Sequence, residues 1–230
     1  MISFEEFERR AQAVRMRMAD ACLRAGRPPE AAELLAVTKT HPAAAVEYAA
    51  RLGLRSVGEN RVQEGVDKRA QTPAAIRWEL IGHLQSNKAA LAARNFDRIQ
   101  SVDSEKLLDH LDRAAAEAGR PLAILLQVNA GDDPAKFGVP AAGAQRLLEV
   151  ALGKASLRVE GFMTIAPLSA DPAVAARAFL RLRDLRDGLA ARFGTPLAEL
   201  SMGMSADLDS AIAAGSTLVR VGSALFGERE

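Results

Sequence analysis

The sequence predicts an α/β fold, a closed (β/α)8 TIM barrel with an additional helix at its N-terminus. Eight strand-like segments alternate with helical segments along the 230 residues. Strands that alternate with helices pair in parallel through right-handed crossovers, and eight of them are the number that closes such a barrel. No G-x-G-x-x-G turn follows the first strand. Its absence disfavours the main alternative, an open doubly wound sheet.

The first predicted element is an amphipathic helix from about Ser3 to Ala25. Ser3 can cap this helix, and Glu6 completes a capping box. The segment GRPP at 26–29 ends it. Cys22 lies inside the helix, where we expect a small packed side chain. Apolar residues at spacings of three and four form one stripe, which comprises Phe4, Phe7, Ala11, Val14, Met18 and Ala21.

The alternating elements follow this helix without a recognisable linker. The clearest later helix is predicted over 104–118, where Ser104 can act as the N-cap and Gly119 follows the last apolar position. Because no Ser/Pro/Gly-rich stretch interrupts the pattern, we expect residues 1–230 to form a single domain. The predicted strands are 33–38, 54–57, 77–81, 97–101, 122–128, 157–162, 197–201 and 217–221. The predicted helices between them are 42–52, 60–70, 86–94, 104–118, 140–152, 171–192 and 206–214.

The composition indicates an ordinary globular protein without a polyanionic partner. Apolar residues make up 49% and charged residues 26%, and the formal net charge is +1. No basic run is interleaved with aromatic residues, so we expect no nucleic-acid partner. The start of the chain is unlike a secretory signal and no apolar stretch is long enough for a bilayer, so we expect a cytoplasmic protein with no membrane partner. One cysteine leaves no thiolate metal site, and we expect no metal.

Polar and small residues crowd the positions that directly follow the strands, where a (β/α)8 barrel carries its chemistry. The last two loops, SMGMSAD and RVGSALFG, place Gly203 near Ser205 and Gly222 beside Ser223. Barrels of this kind often bind a phosphate between these two loops, helped by unpaired N–H groups at a helix N-terminus. Either loop alone is explained as well by turn chemistry. The two together favour a phosphate site.

A lysine, Lys39, ends the first predicted strand in LLAVTKTHP. Burial lowers the pKa of a lysine, and a neutral amine attacks aldehydes. A lysine beside a phosphate site therefore indicates a phosphorylated aldehyde, either a sugar substrate of an aldolase or pyridoxal phosphate. The alternative for Lys39 is a structural ion pair with Glu59 or another acidic neighbour.

Longer segments in a fixed order resemble a known family. These segments are LLAVTKTHP, GENRVQE, WELIGHLQSNK, GFMTI and LSMGMSADLDSAIAAGSTLVRVGSALFG. They resemble the pyridoxal phosphate homeostasis protein family, also called the proline synthase co-transcribed family, which is similar to the N-terminal barrel of alanine racemase standing alone. The resemblance spans residues 30 to 228 or so and includes the N-terminal helix.

The resemblance implies a barrel of fold type III that holds pyridoxal 5'-phosphate (PLP) as an internal aldimine on Lys39. It implies a phosphate-binding hydroxyl at Ser205 and a phosphate-binding turn at Gly222 and Ser223. It also implies that Arg220 faces the pyridine nitrogen of the cofactor.

The same resemblance implies that Asn60 lies near the cofactor ring. We expect Met202 to line the pocket, although core packing explains a methionine there equally well. Glu59, Arg61 and His83 lie in the family motifs, and the resemblance gives them no separate roles.

Arg220 favours a binding protein over an enzyme. A guanidinium disfavours a second cation nearby, so the pyridine nitrogen stays unprotonated and PLP is a weaker electron sink. Racemisation also needs an acid or base on each face of the substrate Cα, and Lys39 can serve only one. Alanine racemase takes the other from a tyrosine of a second domain and a partner subunit. The single tyrosine here, Tyr48, lies on the helix after strand one, where a surface or packed position is expected.

The resemblance and these two arguments predict a monomeric PLP-binding protein without catalytic residues. It would take part in intracellular PLP homeostasis and deliver PLP to PLP-dependent apoenzymes. The alternatives are a PLP-dependent amino-acid racemase of low activity, a barrel aldolase, and an interaction module that recruits a partner through its N-terminal helix.

Overall fold

Parallel strands close into a barrel in the computed structural model, which describes residues 1–227. The barrel closes where β9 pairs with β1, with Val221 opposite Ala36. One further strand, β6, has two residues and pairs with the end of β5 outside the barrel. The predicted barrel is therefore confirmed. The strands are β1 Glu33–Val37, β2 Ser56–Glu59, β3 Arg77–Leu80, β4 Arg98–Val102, β5 Leu122–Asn129, β6 Val139–Pro140, β7 Leu157–Met163, β8 Glu199–Ser201 and β9 Leu218–Val221.

The two predicted N-caps, Ser3 and Ser104, are confirmed by their hydrogen bonds. The Ser3 hydroxyl accepts from the Glu6 N–H at 3.2 Å, and the Ser104 hydroxyl accepts from the Leu107 N–H at 3.3 Å. Within residues 1–227, no helix combines the length and the apolar character that a membrane span needs. The helices are α1 Phe4–Arg24, α2 Ala44–Arg51, α3 Val62–Gln71, α4 Ala89–Asn95, α5 Glu105–Glu117, α6 Ala144–Leu152, α7 Pro172–Phe193, α8 Leu208–Ala213 and α9 Ser223–Phe226, with 3-10 turns at Ser86–Lys88 and Ala141–Gly143.

The second strand begins two residues later than predicted, at Ser56 instead of Leu54. Leu54 belongs to the end of α2, because its N–H donates to the Ala49 carbonyl at 3.0 Å. Gly53 makes this cap with a φ of 73°, a conformation that glycine adopts without strain. The sequence pattern assigns Leu54 to the strand because an apolar residue is buried in the same way at a helix cap and in a strand.

Helix α1 packs outside the barrel against α8 and α9. Its predicted stripe is buried, and the Phe7 ring stacks on Phe226 with the centroids 5.1 Å apart. Cys22 is fully buried on the same helix, as predicted. Arg17 reaches the loop after β8 and donates to the Ser205 carbonyl at 2.9 Å. The additional helix is therefore in direct contact with the candidate phosphate loop.

Alternate residues of each strand face the helices or the barrel interior. In β1, Leu34 and Ala36 join the main hydrophobic cluster. Leu35 and Val37 form a separate small cluster, with Ile81 and Leu218, inside the barrel. Lys39 follows Val37 by two positions, at the carboxyl end of the strand. The same alternation, if extended beyond β1, would place Lys39 on the interior side.

Candidate functional site

The two candidate phosphate turns lie side by side at the carboxyl ends of β8 and β9. The hydroxyl oxygens of Ser205 and Ser223 are 3.4 Å apart. The Arg220 N–H donates to the Gly203 carbonyl at 3.0 Å, which ties one loop to the neighbouring strand. Two predicted phosphate-binding hydroxyls thus converge in space although they are 18 positions apart in the sequence.

Both glycines of these turns occupy positions where a side chain does not fit well. Gly203 has a φ of 94°, and a Cβ there would lie 2.5 Å from the Ala211 Cβ. A Cβ on Gly222 would lie 3.3 Å from the Val37 carbonyl oxygen. The close approach of Gly222 to Val37 brings the turn after β9 against the end of β1, two positions before Lys39.

Helix α8 begins two residues later than predicted, so its N-terminus does not follow Ser205 directly, whereas α9 begins at Ser223 itself. A turn over 205–207 separates the serine from α8, which begins at Leu208 and has six residues. Asp207 accepts the Met204 N–H at 2.6 Å and holds this turn closed. The candidate anion site thus consists of the two hydroxyls and the compact turns, and the contribution of helix N–H groups stays a prediction.

Polar contacts on both sides of Lys39 fix the end of β1. The Thr38 hydroxyl donates to Glu59 Oε1 at 2.6 Å, and Lys68 Nζ donates to the Thr38 carbonyl at 2.7 Å. On the other side, the Thr40 N–H donates to Glu64, and Thr40 has a φ of 67°. A positive φ is uncommon for threonine. The half-buried Lys39 thus lies in a turn that its neighbours hold in place.

Glu59 has its ion-pair partner in Lys68, a residue that the sequence analysis did not single out. Lys68 Nζ lies 2.8 Å from Glu59 Oε1 and 2.7 Å from Glu64 Oε1, and both Lys68 and Glu59 are buried. Burial raises the pKa of Glu59, although the hydrogen bonds from Lys68 and Thr38 oppose the shift. The i,i+4 spacing of Glu64 and Lys68 on α3 was the sequence signal that could have indicated Lys68.

Acid sensitivity follows from Glu64. Burial raises the pKa of this carboxyl, but the hydrogen bonds from Lys68 and Thr40 outweigh burial and hold it below the ordinary 4.5. A lowered pKa stabilises the fold above the ordinary value, and that stability is lost as the pH falls through the folded value. We expect Glu64→Gln to flatten the fall in unfolding free energy between about pH 5 and 3, measured by urea unfolding. The exposed Glu117→Gln is the control, and an equal slope in both variants would contradict the prediction.

Asn60 follows β2 directly and is half-buried at the same end of the barrel. The loop after β3 runs against it, because a Cβ on Gly82 would clash with the Asn60 carbonyl oxygen. Close backbone contact therefore fixes Asn60 next to the end of β1, where β1 and β2 pair at Val37 and Gly58.

Met202 is fully buried and belongs to the main hydrophobic cluster. Its N–H donates to the Leu218 carbonyl at 3.2 Å. Packing accounts for this side chain, which is the alternative that the sequence analysis left open. A contact between Met202 and a cofactor stays a prediction.

Arg220 is buried inside the barrel with 4% of its surface exposed. Its Nη1 donates to the Ser201 hydroxyl at 2.7 Å, and its Nη2 donates to the Thr164 carbonyl at 2.8 Å. Burial lowers the pKa of Arg220 to about 10. The guanidinium therefore stays charged at neutral pH, at the same end of the barrel as the serine turns.

The remaining residues of the sequence analysis lie outside this group or at its rim. Tyr48 packs against Phe4 of α1, with the ring centroids 5.3 Å apart, so it is on the outer side of the barrel as predicted. His83 stacks on Phe137 at 4.0 Å. Arg61 is exposed at the start of α3.

Comparison with known proteins gives a consistent result. The family described as the N-terminal domain of alanine racemase matches residues 11–230. A pyridoxal phosphate homeostasis protein of Pseudomonas aeruginosa is 40% identical over 218 residues, which cover 94% of this chain and 93% of the relative. The protein of the same name from Escherichia coli is 38% identical over 224 residues, with 94% of each chain covered.

Solved structures agree with this assignment. PipY of Synechococcus elongatus, solved with PLP bound, is 41% identical with a TM-score of 0.80, over 91% of this chain and all of PipY. Alanine racemase of Clostridium difficile has a TM-score of 0.75 at 14% identity, over 87% of this chain and 53% of the racemase. This second likeness concerns the fold alone. The sequence relatives and the barrel together establish that the chain belongs to the family of pyridoxal phosphate homeostasis proteins.

Proposed function

We propose that this protein binds PLP reversibly for intracellular PLP homeostasis, with Lys39 forming a Schiff base to the cofactor. The observation that carries the proposal is the convergence of Ser205, Gly222 and Ser223 beside the end of β1, where Lys39 lies. A hydroxyl pair in compact turns suits a phosphate, and an amine suits an aldehyde. PLP carries both groups, and PipY, solved with PLP bound, is 41% identical to this chain.

The residues present fit PLP at three of its polar groups, the phosphate, the aldehyde and the pyridine nitrogen. The turns at 203–205 and 222–223 would hold the phosphate, Lys39 would hold the aldehyde carbon, and Arg220 would face the pyridine nitrogen with Asn60 beside the ring. When bound, PLP supplies an aldehyde that condenses with amines and a ring that accepts electrons. The buried guanidinium of Arg220 would keep the ring nitrogen unprotonated, because two adjacent cations repel each other.

We propose that the protein holds PLP without robust catalytic activity. A racemase needs a second acid or base opposite Lys39, and the single tyrosine of the chain packs against Phe4 and Phe7 outside the barrel. A low-activity amino-acid racemase is the alternative. Exchange of the Cα hydrogen of amino acids for deuterium at enzyme-like rates would favour that alternative, and its absence would favour the binding protein.

The direct test is an absorbance spectrum of the purified protein with PLP, before and after borohydride reduction. We expect a visible band that reduction removes, with the adduct mapped by mass spectrometry to the peptide that contains Lys39. A colourless protein, or an adduct on a different side chain, would overturn the proposal.

We also propose that the protein is a cytoplasmic monomer with one domain over residues 1–230. We propose further that it releases its PLP to PLP-dependent apoenzymes. Contact of α1 with α8 and α9 supports the single domain. We expect PLP-loaded protein to reactivate a PLP-dependent apoenzyme even when a phosphatase removes free PLP. Reactivation that stops with the phosphatase would restrict the function to binding, and light scattering would test the monomer.

Replacing Ser205 by alanine should weaken PLP binding. Loss of one hydrogen bond to a charged phosphate costs about 1.5–3 kcal/mol, so the dissociation constant should rise about tenfold or more. Equilibrium titration of absorbance measures this change. Ser210→Ala on α8 is the control, and an unchanged dissociation constant for Ser205→Ala would remove Ser205 from the phosphate site.

A further inference from the structure

A series of polar side chains joined by hydrogen bonds crosses the barrel interior, and we call this series the file. Barrels of this kind usually pack branched apolar residues there. The file consists of buried side chains from β3, β4, β8 and β9, which are Glu79, Arg98, Gln100, Ser201 and Arg220. Buried charges are costly, and apolar residues of similar volume often replace them at no loss of stability. The file therefore calls for an explanation other than stability.

Between Arg220 and Glu79, each hydrogen bond of the file runs from donor to acceptor in the same direction. Arg220 Nη1 donates to Ser201 Oγ at 2.7 Å, and the Ser201 hydroxyl donates to Gln100 Oε1 at 2.6 Å. Gln100 Nε2 then donates to Glu79 Oε2 at 2.6 Å. The cation of Arg220 is thus joined to the carboxylate of Glu79 through two neutral side chains.

The contacts of Arg98 with Glu79, at the other end of the file, fix the direction of these hydrogen bonds. Arg98 donates to both oxygens of Glu79, at 2.8 and 2.9 Å, and also contacts Glu160 at 3.0 Å and Glu199 at 3.2 Å. An ionised carboxylate only accepts hydrogen bonds, so Gln100 must turn its NH2 group towards Glu79. Its oxygen then faces Ser201, and the hydroxyl proton of Ser201 is committed to Gln100. A lone pair of Ser201 remains for Arg220.

We propose that Ser201 and Gln100 are positioning residues that hold the Arg220 guanidinium against the pyridine nitrogen of PLP. The inference rests on the proposed function. Among residues 1–227, the side-chain hydrogen bonds of Arg220 go to a hydroxyl and a backbone carbonyl. A carboxylate in direct contact would neutralise the cation beside the ring. The neutral side chains of Ser201 and Gln100 leave the positive charge next to the nitrogen, while the carboxylates of Asp207 and Glu79 act on Arg220 from a distance.

The test follows the ring nitrogen directly, by its nitrogen-15 chemical shift in protein loaded with labelled PLP, as a function of pH. Ser201→Ala removes one anchor of Arg220, so we expect the apparent pKa of the ring nitrogen to rise by about one unit, a tenfold change in proton affinity. Gln100→Leu should shift it in the same direction by less. In the double variant the shift should not exceed that of Ser201→Ala alone, because the two residues act in series.

Two further variants separate positioning from structural damage. Ser201→Thr keeps the hydroxyl and should restore the original titration. Gln127→Leu removes another buried glutamine, whose amide donates to the Phe137 carbonyl at 3.1 Å, and should leave the titration unchanged. Thermal unfolding of each variant without PLP reports the structural cost separately.

The outcomes distinguish this inference from the proposed function. If all variants share the titration of the unsubstituted protein, or if Gln127→Leu shifts it as much as Gln100→Leu, the positioning role is overturned and the PLP site stands. If the unsubstituted protein forms no borohydride-trapped adduct at Lys39, the proposed function and this inference fail together.

Discussion

Replacing Lys39 by alanine is expected to abolish covalent attachment of PLP while the barrel stays folded. Lys39 lies two residues beyond the end of β1, where the turn that contains Gly222 approaches Val37. Its primary amine is what a Schiff base requires. Thr38 and Thr40 make hydrogen bonds that help to hold this turn and that the substitution leaves in place. Loss of the amine should therefore remove the visible band and the borohydride adduct, and thermal unfolding of the variant checks that the barrel is folded.

Lys88→Ala provides the matched control. Lys88 is exposed in the 3-10 turn after β3, and its loss should leave the band and the adduct intact. Mass mapping of the reduced protein reads out both variants. An adduct that persists in Lys39→Ala at the same stoichiometry would mean that another lysine carries the cofactor.

Among the substitutions described, Lys68→Met is expected to lower the free energy of unfolding the most. Lys68 Nζ bonds Glu59, Glu64 and the Thr38 carbonyl, and 6% of the lysine is exposed. Removing one partner of a buried ion pair leaves a buried charge without compensation, which costs about 3–5 kcal/mol. The end of β1 also loses the bond to Thr38, so attachment of PLP at Lys39 should slow. Urea unfolding and the rate of band formation measure the two effects.

Two comparisons make this prediction specific. Lys154 forms an exposed ion pair with Asp109, and Lys154→Met should change the unfolding free energy little, because exposed pairs contribute little. In the double variant with Glu59→Gln, part of the lost stability should return, since the buried carboxylate is gone. Equal effects of Lys68→Met and Lys154→Met would contradict the interpretation of the cluster.

The N-terminal helix and the order of strands and helices were predictable because their signals are local. The cap at Ser3, the apolar stripe of α1 and the run of β5 depend on neighbours a few positions away. Several element starts were displaced: β2 and β8 begin two residues later than predicted, and α6 begins at Ala144 instead of 140. At β2 the displacement occurred where a helix cap and a strand bury the same kind of residue. The sequence also indicated the glycine–serine pairs and Lys39 as candidate site residues, since each follows a predicted strand.

By itself, the sequence determined the barrel, the helix before it, and the set of residues at the carboxyl ends of its strands. Only the tertiary structure decided which polar side chains are paired. Gln100 meets Ser201, which is 101 positions away, because closure of the barrel brings distant strands together. Lys68 meets Glu59 because α3 packs back against the end of β2. A side chain's burial and its partner are properties of that packing, so the periodicity of a single segment does not contain them.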